Sequence, residues 1–246
     1  GPKFAFSPDS RVLAYVSSPE KNIANSTNTD IYLMPIGGKE AVNITLANDA
    51  WDGSPVFSPD GNYIAYKTHS IPGFEADRFR IAVYNTQTLQ AEVLSESFDY
   101  TTDNLSWSSD SKSIYFLADN RGYSPVYKID VQSKNITKVT DDKSVRGYQI
   151  NKDEKNLYLT FTSVDKLPEI YSYDVNASIY SQITFFNKKL MDEVDIRPAE
   201  QMWVDGADGV PVHVFVVKPH GFEEYKKYPL VINVHGGPQM QWMDSF

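Results

Sequence analysis

The sequence contains no cysteine among its 246 residues. Disulfide bonds, thiolate metal sites and a cysteine nucleophile are therefore excluded. Long hydrophobic runs are also missing, because apolar stretches such as 214–217 and 230–234 fall far short of the roughly 20 residues of a membrane-spanning helix. Basic residues are in the minority, 23 against 32 acidic ones, and the net charge is −9. Such a chain is a poor match for nucleic acid or an anionic membrane, so neither is predicted as a partner.

Metal-binding patterns are absent as well. The four histidines form no His-Glu-x-x-His pattern and no cluster with aspartates. The sequence therefore predicts no metal site, and nothing in it indicates another cofactor.

What the sequence does contain is an internal repeat. A motif related to Phe-Ser-Pro-Asp-Gly, followed by a short alternating strand, begins at residues 6, 57, 107 and 150 and becomes less regular along the chain. A second alternating strand follows each copy, at 30–34, 80–84, 125–129 and 169–173. A shorter closing strand comes next, as in 91–94 and 135–139.

This repeat predicts the blades of a β-propeller. Proline and glycine favour the tight turn of the motif, and the alternation of apolar and polar residues suits half-buried antiparallel strands. Four short strands per repeat are typical of a propeller blade, with a β-sandwich as the alternative. The predicted fold is mostly β, with about four blades of four antiparallel strands in residues 1–185. We expect them to be the C-terminal part of a larger propeller, whose open strand edges leave homo-oligomer formation open.

The pattern changes after residue 185. We predict a linker over 186–200 and the first strands of an α/β-hydrolase domain over 201–246. A turn at 205–209 leads into a predicted strand at 210–217. The nearly continuous apolar run 228–234 is typical of a strand buried on both faces of an α/β sheet, and it ends in His-Gly-Gly-Pro.

The order of these parts resembles the junction between propeller and hydrolase in the prolyl oligopeptidase family of serine peptidases. The matching pieces are Pro198–Glu200, Asp208-Gly209, Val217–Pro219, Tyr228–Val231, His235–Pro238, and Trp242, Asp244 and Phe246. Within the propeller, Pro72–Arg78 resembles a motif of the dipeptidyl peptidase V and acylaminoacyl-peptidase branch. The resemblance spans essentially the whole chain. It implies a serine exopeptidase with peptide substrates, whose propeller admits short peptides. The compartment stays open, with a periplasmic or secreted location favoured over a cytoplasmic one.

The resemblance also implies roles for individual residues. It implies that the backbone N–H of Gly237 is an oxyanion-hole donor and that Gly236 shapes the turn around it. The alternative is that the two glycines form an ordinary turn with no catalytic role. His235 precedes any nucleophile in the chain, so it is expected to hold the loop rather than to act as a base.

In the propeller, Glu75, Asp77 and Arg78 are the predicted substrate-binding residues. Glu75 is the first candidate for binding a free amino terminus, Asp77 is the second, and Arg78 is expected to brace Asp77. The alternative is a solvated charged loop.

The chain contains no Gly-x-Ser-x-Gly motif, and hence no nucleophile elbow or recognisable triad. We therefore expect this polypeptide to be inactive and the protein from which it comes to be the enzyme. A non-catalytic binding propeller of the Tol-system type is the main alternative, and a related hydrolase acting on esters is a third. Asn-x-Ser/Thr sequons, which indicate glycosylation only weakly, lie at Asn25, Asn43, Asn104, Asn135 and Asn176.

Overall fold

The computed structural model describes residues 3–21, 26–237 and 240–246. Within these ranges the strands form four four-stranded antiparallel sheets and one two-stranded hairpin. Each four-stranded sheet takes its strands in chain order, which is the up-and-down arrangement of a propeller blade. The predicted partial propeller of four blades is therefore confirmed.

The strands follow the predicted repeat closely. The first blade comprises β1 (Phe4–Phe6), β2 (Val12–Ser17), β3 (Asp30–Pro35) and β4 (Val42–Asn43). The second comprises β5 (Asp52–Phe57), β6 (Tyr63–Thr68), β7 (Arg80–Asn85) and β8 (Gln90–Val93). The third comprises β9 (Thr102–Trp107), β10 (Ser113–Ala118), β11 (Val126–Asp130) and β12 (Ile136–Lys138). The fourth comprises β13 (Ser144–Ile150), β14 (Asn156–Ser163), β15 (Lys166–Asp174) and β16 (Ile179–Gln182).

The repeated motif builds the same turn between the first two strands of a blade. In the second blade, Ser58 Oγ donates to Asp60 Oδ1 at 2.6 Å and accepts the N–H of Tyr63 at 2.9 Å. The equivalent serine-to-aspartate hydrogen bonds measure 2.6 Å from Ser7 and 2.7 Å from Ser108. The serine and aspartate of the motif therefore close the turn with their side chains, and this explains why both recur.

The fourth position of the turn always has a positive φ. The residues there are Ser10, Gly61, Ser111 and Glu154, with φ values of 59°, 72°, 61° and 58°. Glycine adopts this conformation without steric cost, whereas the other three residues strain the backbone. The left-handed turn expected from the sequence is thus kept even where glycine has been replaced.

The chain divides into two compact units. The first contains Gly1–Asp119, Val126–Val139 and Lys152–Glu154, and the second contains Asn120–Pro125, Thr140–Asn151 and Lys155–Phe246. In the first unit, aromatic and aliphatic side chains of the second and third blades form one core cluster, with Ile81, Ile114 and Phe116 fully buried. A smaller cluster between the first and second blades includes Ile31 and Ile64.

The first strand of three blades carries a β-bulge. The register shifts between Gly53 and Val56 in β5, between Asp103 and Ser106 in β9, and between Val145 and Gly147 in β13. A bulge adds one residue to a strand and redirects the neighbouring side chains. In the second and third blades the bulges contain residues with positive φ, Ser54 and Asn104.

After the fourth blade come a short helix and a hairpin. Helix α1 spans Lys188–Glu193, and β17 (Ala199–Asp205) pairs with β18 (Pro211–Val217) around a 3₁₀ turn at Ala207–Gly209. The predicted turn and the predicted strand before residue 218 are confirmed. The proposed boundaries at 185 and 200 remain a prediction.

The predicted buried strand at 230–234 is wrong. These residues have no regular secondary structure. Their side chains are exposed to solvent, and Val231 is 87% exposed. No described strand pairs with them, and a run of apolar side chains cannot form a strand without hydrogen-bonding neighbours. The hydrophobicity of the run therefore does not determine its conformation.

No helix in the described ranges combines the length and the apolar character needed to span a bilayer.

Candidate functional site

The loop between β6 and β7, residues 69–79, carries three of the predicted site residues, and we call it the second-blade loop. Two consecutive turns shape it: Phe74 N–H donates to Ile71 O at 3.3 Å, and Asp77 N–H donates to Phe74 O at 3.1 Å. Gly73 has a positive φ of 74° and donates its N–H to Thr27 Oγ1 at 3.0 Å. The loop is therefore compact and attached to the first blade.

Asp77 anchors the base of this loop. Its Oδ2 accepts the N–H groups of Ser70 at 2.7 Å and Ile71 at 3.1 Å, and Arg80 Nη1 lies 3.1 Å away. The side chains of Asp77 and Arg80 are only 5% and 9% exposed. Burial favours a higher pKa for Asp77, but the hydrogen bonds from Ser70 and Arg80 outweigh it and hold the pKa below the usual value. Arg80, not Arg78, is the brace of Asp77, so that part of the prediction is wrong.

Arg78 ties the loop to the segment after β8. Its guanidinium donates to the carbonyl oxygens of Ser95 at 3.4 Å, Glu96 at 2.6 Å and Phe98. The Glu96 carboxylate lies 3.5 Å from Arg78 Nη2 and 3.2 Å from Arg80 Nε. Both arginines near the loop are therefore engaged by other groups.

Glu75 differs from its neighbours. Its side chain is exposed near the tip of the loop, and it makes no hydrogen bond or ion pair with any residue that the structure describes. Its carboxylate is consequently free to contact a ligand.

A buried lysine lies beside the loop base. Lys67 Nζ is 2.7 Å from Asp103 Oδ1 and 4.2 Å from the centroid of the Phe79 ring. Phe79 in turn contacts the rings of His69 at 4.2 Å and Trp51 at 4.9 Å. Lys67 is 7% exposed, whereas Asp103, at the start of β9, is 60% exposed. Burial favours a higher pKa for Asp103, but the Lys67 ammonium lowers it below the usual value, so this carboxylate stays ionised.

Sequence reasoning missed Lys67, Arg80 and Asp103. A signal was available: Lys67 lies within the largely apolar strand Tyr63–Thr68, and Arg80 begins the apolar strand Arg80–Asn85. Charged residues are rarely buried unless they are paired, so each predicts an acidic partner. The identity of the partner requires the structure.

The histidines form no catalytic pair with a serine among the described residues. His69 is buried against Phe79, its Nε2 has no hydrogen-bond partner among the residues that the structure describes, and burial lowers its pKa. His213 Nε2 lies 2.9 Å from Gln201 Oε1, and His220 contacts Asp195 at an exposed position. No group of three or more His, Asp or Glu side chains in the described ranges could hold a metal ion.

The predicted oxyanion-hole residues lie in the second unit, whereas the second-blade loop lies in the first. Gly236 and Gly237 are exposed, and Gly237 has a positive φ of 110°. His235 Nδ1 is 3.2 Å from the Gly236 carbonyl oxygen, a local contact within the loop. Pro238 of the motif is outside the described residues. The oxyanion role of Gly237 and the turn-shaping role of Gly236 remain predictions.

The sequons differ in accessibility. Asn43 is half-buried and donates to Asp30 Oδ2 at 2.7 Å, and its sequon threonine, Thr45, is buried, so this site is less accessible than the others described. Asn104, Asn135 and Asn176 are exposed, and Asn25 is outside the described residues.

Comparison with known proteins identifies homologues across the chain. No family model matches it. Dipeptidyl-peptidase 5 from Porphyromonas gingivalis is 30% identical over 239 residues, which are 96% of this chain and 35% of that protein. The chain thus spans about a third of the length of the curated relatives that it matches.

Solved structures share the fold. Acylaminoacyl peptidase from Pyrococcus horikoshii superimposes with a TM-score of 0.67 at 15% identity, covering 89% of this chain and 32% of that one. TolB from Acinetobacter baumannii gives a TM-score of 0.53 at 20% identity, covering 74% of this chain and 43% of that one. The resemblance predicted from the motifs is therefore confirmed: this chain is homologous, over nearly its whole length, to a segment of proteins named dipeptidyl-peptidase 5.

Proposed function

We propose that this chain is the propeller part, with the start of the hydrolase domain, of a serine exopeptidase that acts on peptides with a free amino terminus. The homology to dipeptidyl-peptidase 5 proteins over 96% of the chain supports the peptidase class. The propeller serves as a gate that admits short or unfolded peptides and excludes folded proteins.

The observation that carries the proposal is the unpaired carboxylate of Glu75. Asp77 and the two nearby arginines are held by internal contacts, so the loop base is rigid and no described cation neutralises Glu75. A protonated amino terminus would form a charge-assisted hydrogen bond with such a carboxylate. Glu75 therefore binds the free amino group of the substrate, and Asp77 contributes by holding the loop in place.

The chemistry requires groups beyond those in this chain. Gly237 would donate its backbone N–H to the oxyanion, and the nucleophile, base and triad aspartate would come from the rest of the enzyme. The polypeptide 1–246 is accordingly inactive alone.

Labelling with a serine-directed fluorophosphonate probe tests this assignment. The complete enzyme should be labelled stoichiometrically and should hydrolyse dipeptidyl substrates, whereas residues 1–246 should stay unlabelled. An active but unlabelled complete enzyme would contradict the serine mechanism. Labelling of residues 1–246 would contradict the placement of the nucleophile.

A non-catalytic binding propeller is the second candidate. The TolB likeness, which covers 74% of the chain, favours it. The homology to dipeptidyl-peptidase 5 extends over 96% of the chain and so continues beyond the propeller, which favours the peptidase. A complete protein that hydrolyses no peptide or ester would favour the binding role.

A further inference from the structure

Residues 241–246, which we call the strap, are held against loops of two blades within the second unit. Asp244 N–H donates to the Gly122 carbonyl oxygen at 2.7 Å, and Gly122 N–H donates to Gln241 Oε1 at 3.1 Å. Gly122 belongs to the loop between β10 and β11. The strap therefore pairs with the third-blade loop through both the N–H and the carbonyl of one glycine.

The strap also contacts the fourth blade. Asp244 Oδ1 accepts the N–H of Val164 at 2.9 Å, in the turn between β14 and β15. Phe246 N–H donates to Thr162 Oγ1 at 3.2 Å, and the Thr162 side chain is buried. Asp244 is thus the only strap residue whose backbone and side chain are bonded to two different blade loops among the described residues.

Gly122 is required for this arrangement. Its φ is +78°, and a β-carbon there would overlap Cζ of Phe215 in β18. Only glycine lets the third-blade loop approach both β18 and the strap so closely.

One part of the chain between β18 and the strap lacks such contacts. After β18 ends at Val217, residues 229–237 make no hydrogen bond to any described residue outside that stretch. The glycine pair Gly236–Gly237 lies within it, shortly before the strap. The place where the strap is fixed therefore determines where the glycine pair can lie.

We propose that Asp244 is a positioning residue that fixes the glycine pair relative to the propeller loops. The inference rests on the proposed function, because it takes Gly237 as the oxyanion donor. Such a donor must be placed to within about an ångström, and a misplacement of that size can lower the rate by about 100-fold. The side-chain acceptor of Asp244, rather than its charge, supplies the bond to Val164.

The test uses the complete enzyme with Asp244→Ala, Asp244→Asn and the exposed control Glu224→Ala. Asp244→Ala should lower kcat at least about tenfold while KM stays within about twofold, because the transition state alone is affected. Asp244→Asn keeps an acceptor oxygen and should retain kcat within about threefold. Glu224→Ala should behave as the wild type.

Hydrogen exchange of the Val164 amide supplies a readout that does not depend on activity. It should be faster in Asp244→Ala and unchanged in Asp244→Asn. Gln241→Ala, which removes only the acceptor for Gly122 N–H, should give a smaller fall in kcat and serves if Asp244→Ala does not fold.

Three results would overturn the inference: unchanged kcat despite faster Val164 exchange, a rise in KM alone, or equal losses in Asp244→Ala and Asp244→Asn. A wild-type enzyme without peptidase activity would instead remove the proposed function. In that case Val164 exchange would still show whether the strap contact exists.

Discussion

The third blade and the stretch 229–237 are both rich in apolar residues, yet they differ completely in burial. In the third blade, Ile114 and Phe116 are fully buried, whereas Val231 and Ile232 are among the most exposed aliphatic side chains. Each central strand of a blade has hydrogen-bonded neighbours on both sides, supplied by the same repeat. The comparison shows that an apolar run becomes a buried strand only where the chain also provides its neighbours.

Two side-chain truncations, one in each region, should show the largest difference in their effect on the free energy of unfolding. Phe116→Ala removes a fully buried ring that contacts Phe98 and Tyr127, and should lower the free energy of unfolding by about 3–5 kcal/mol. Val231→Ala removes exposed methyl groups and should change it by less than about 0.5 kcal/mol. Urea denaturation of both variants measures the contrast, and equal effects would contradict the burial described here.

A buried acid gives the next contrast, between the second blade and the exposed loop that follows β18. Asp52, at the start of β5, is buried, and its Oδ1 has no hydrogen-bond partner within the described part of the chain. Burial raises its pKa from 3.8 to about 7, although hydrogen bonds from Thr68 and Asn48 oppose the shift. Since the folded state holds the proton more tightly than the unfolded state, this group stabilises the fold at low pH. That contribution is lost as the pH rises from about 4 to about 7.

Asp52→Asn should therefore remove the part of the pH dependence of the unfolding free energy that comes from this carboxyl group. The difference in unfolding free energy between the variant and the wild type should grow in favour of the variant by up to about 4 kcal/mol between pH 4 and pH 7, then stay constant. Urea denaturation across this range measures it. Glu224→Gln, at an exposed position in the loop after β18, is the control for the loss of one carboxylate. A difference that does not vary with pH would show that Asp52 is ionised in the fold.

A smaller effect on the free energy of unfolding is expected at Glu154, in the turn of the fourth copy of the motif. Glu154 accepts the Ser109 N–H at 2.8 Å and the Tyr115 hydroxyl at 3.0 Å. Ser109 stands where the second copy of the motif has Pro59, which has no N–H. Two departures from the motif are therefore coupled. Serine replaces proline at residue 109, glutamate replaces glycine at residue 154, and the Glu154 carboxylate accepts the Ser109 N–H.

Glu154→Ala should lower the free energy of unfolding by about 1.5–3 kcal/mol, because it leaves these donors without their charged acceptor. Glu223→Ala removes an exposed ion pair with Lys226 and should have no measurable effect. Restoring the motif with Ser109→Pro in the Glu154→Ala background should recover part of the loss. If the double variant is less stable than Glu154→Ala, the coupling is absent.

The blades could be predicted because each one repeats local information. The Ser-x-Asp turn of the first three blades and the alternation in all four fix the strands, and the predicted bounds agree with the structure to within a few residues. The conformation of the run at 230–234 could not be predicted, because it depends on partner strands and not on the composition of the run.

The site was predictable only in part. The sequence pointed to the second-blade loop, but the pairing of Asp77 with Arg80 depends on burial and on the fold of the loop. Likewise, the contact of Lys67 with Asp103 joins residues of two blades. Contacts between repeats are not encoded in the period of the repeat, so they required the structure.

The proposed binding of a free amino terminus by Glu75 is tested most directly by one kinetic ratio. In the complete enzyme, Glu75→Gln removes the charge and keeps the size of the side chain. It should lower kcat/KM at least about tenfold for a dipeptidyl substrate with a free amino group. Its amino-acetylated analogue should be hydrolysed as by the wild type, and Glu40→Gln, an exposed control in the same unit, should alter neither. Equal losses on both substrates would contradict the account and make Glu75 a structural residue of the loop.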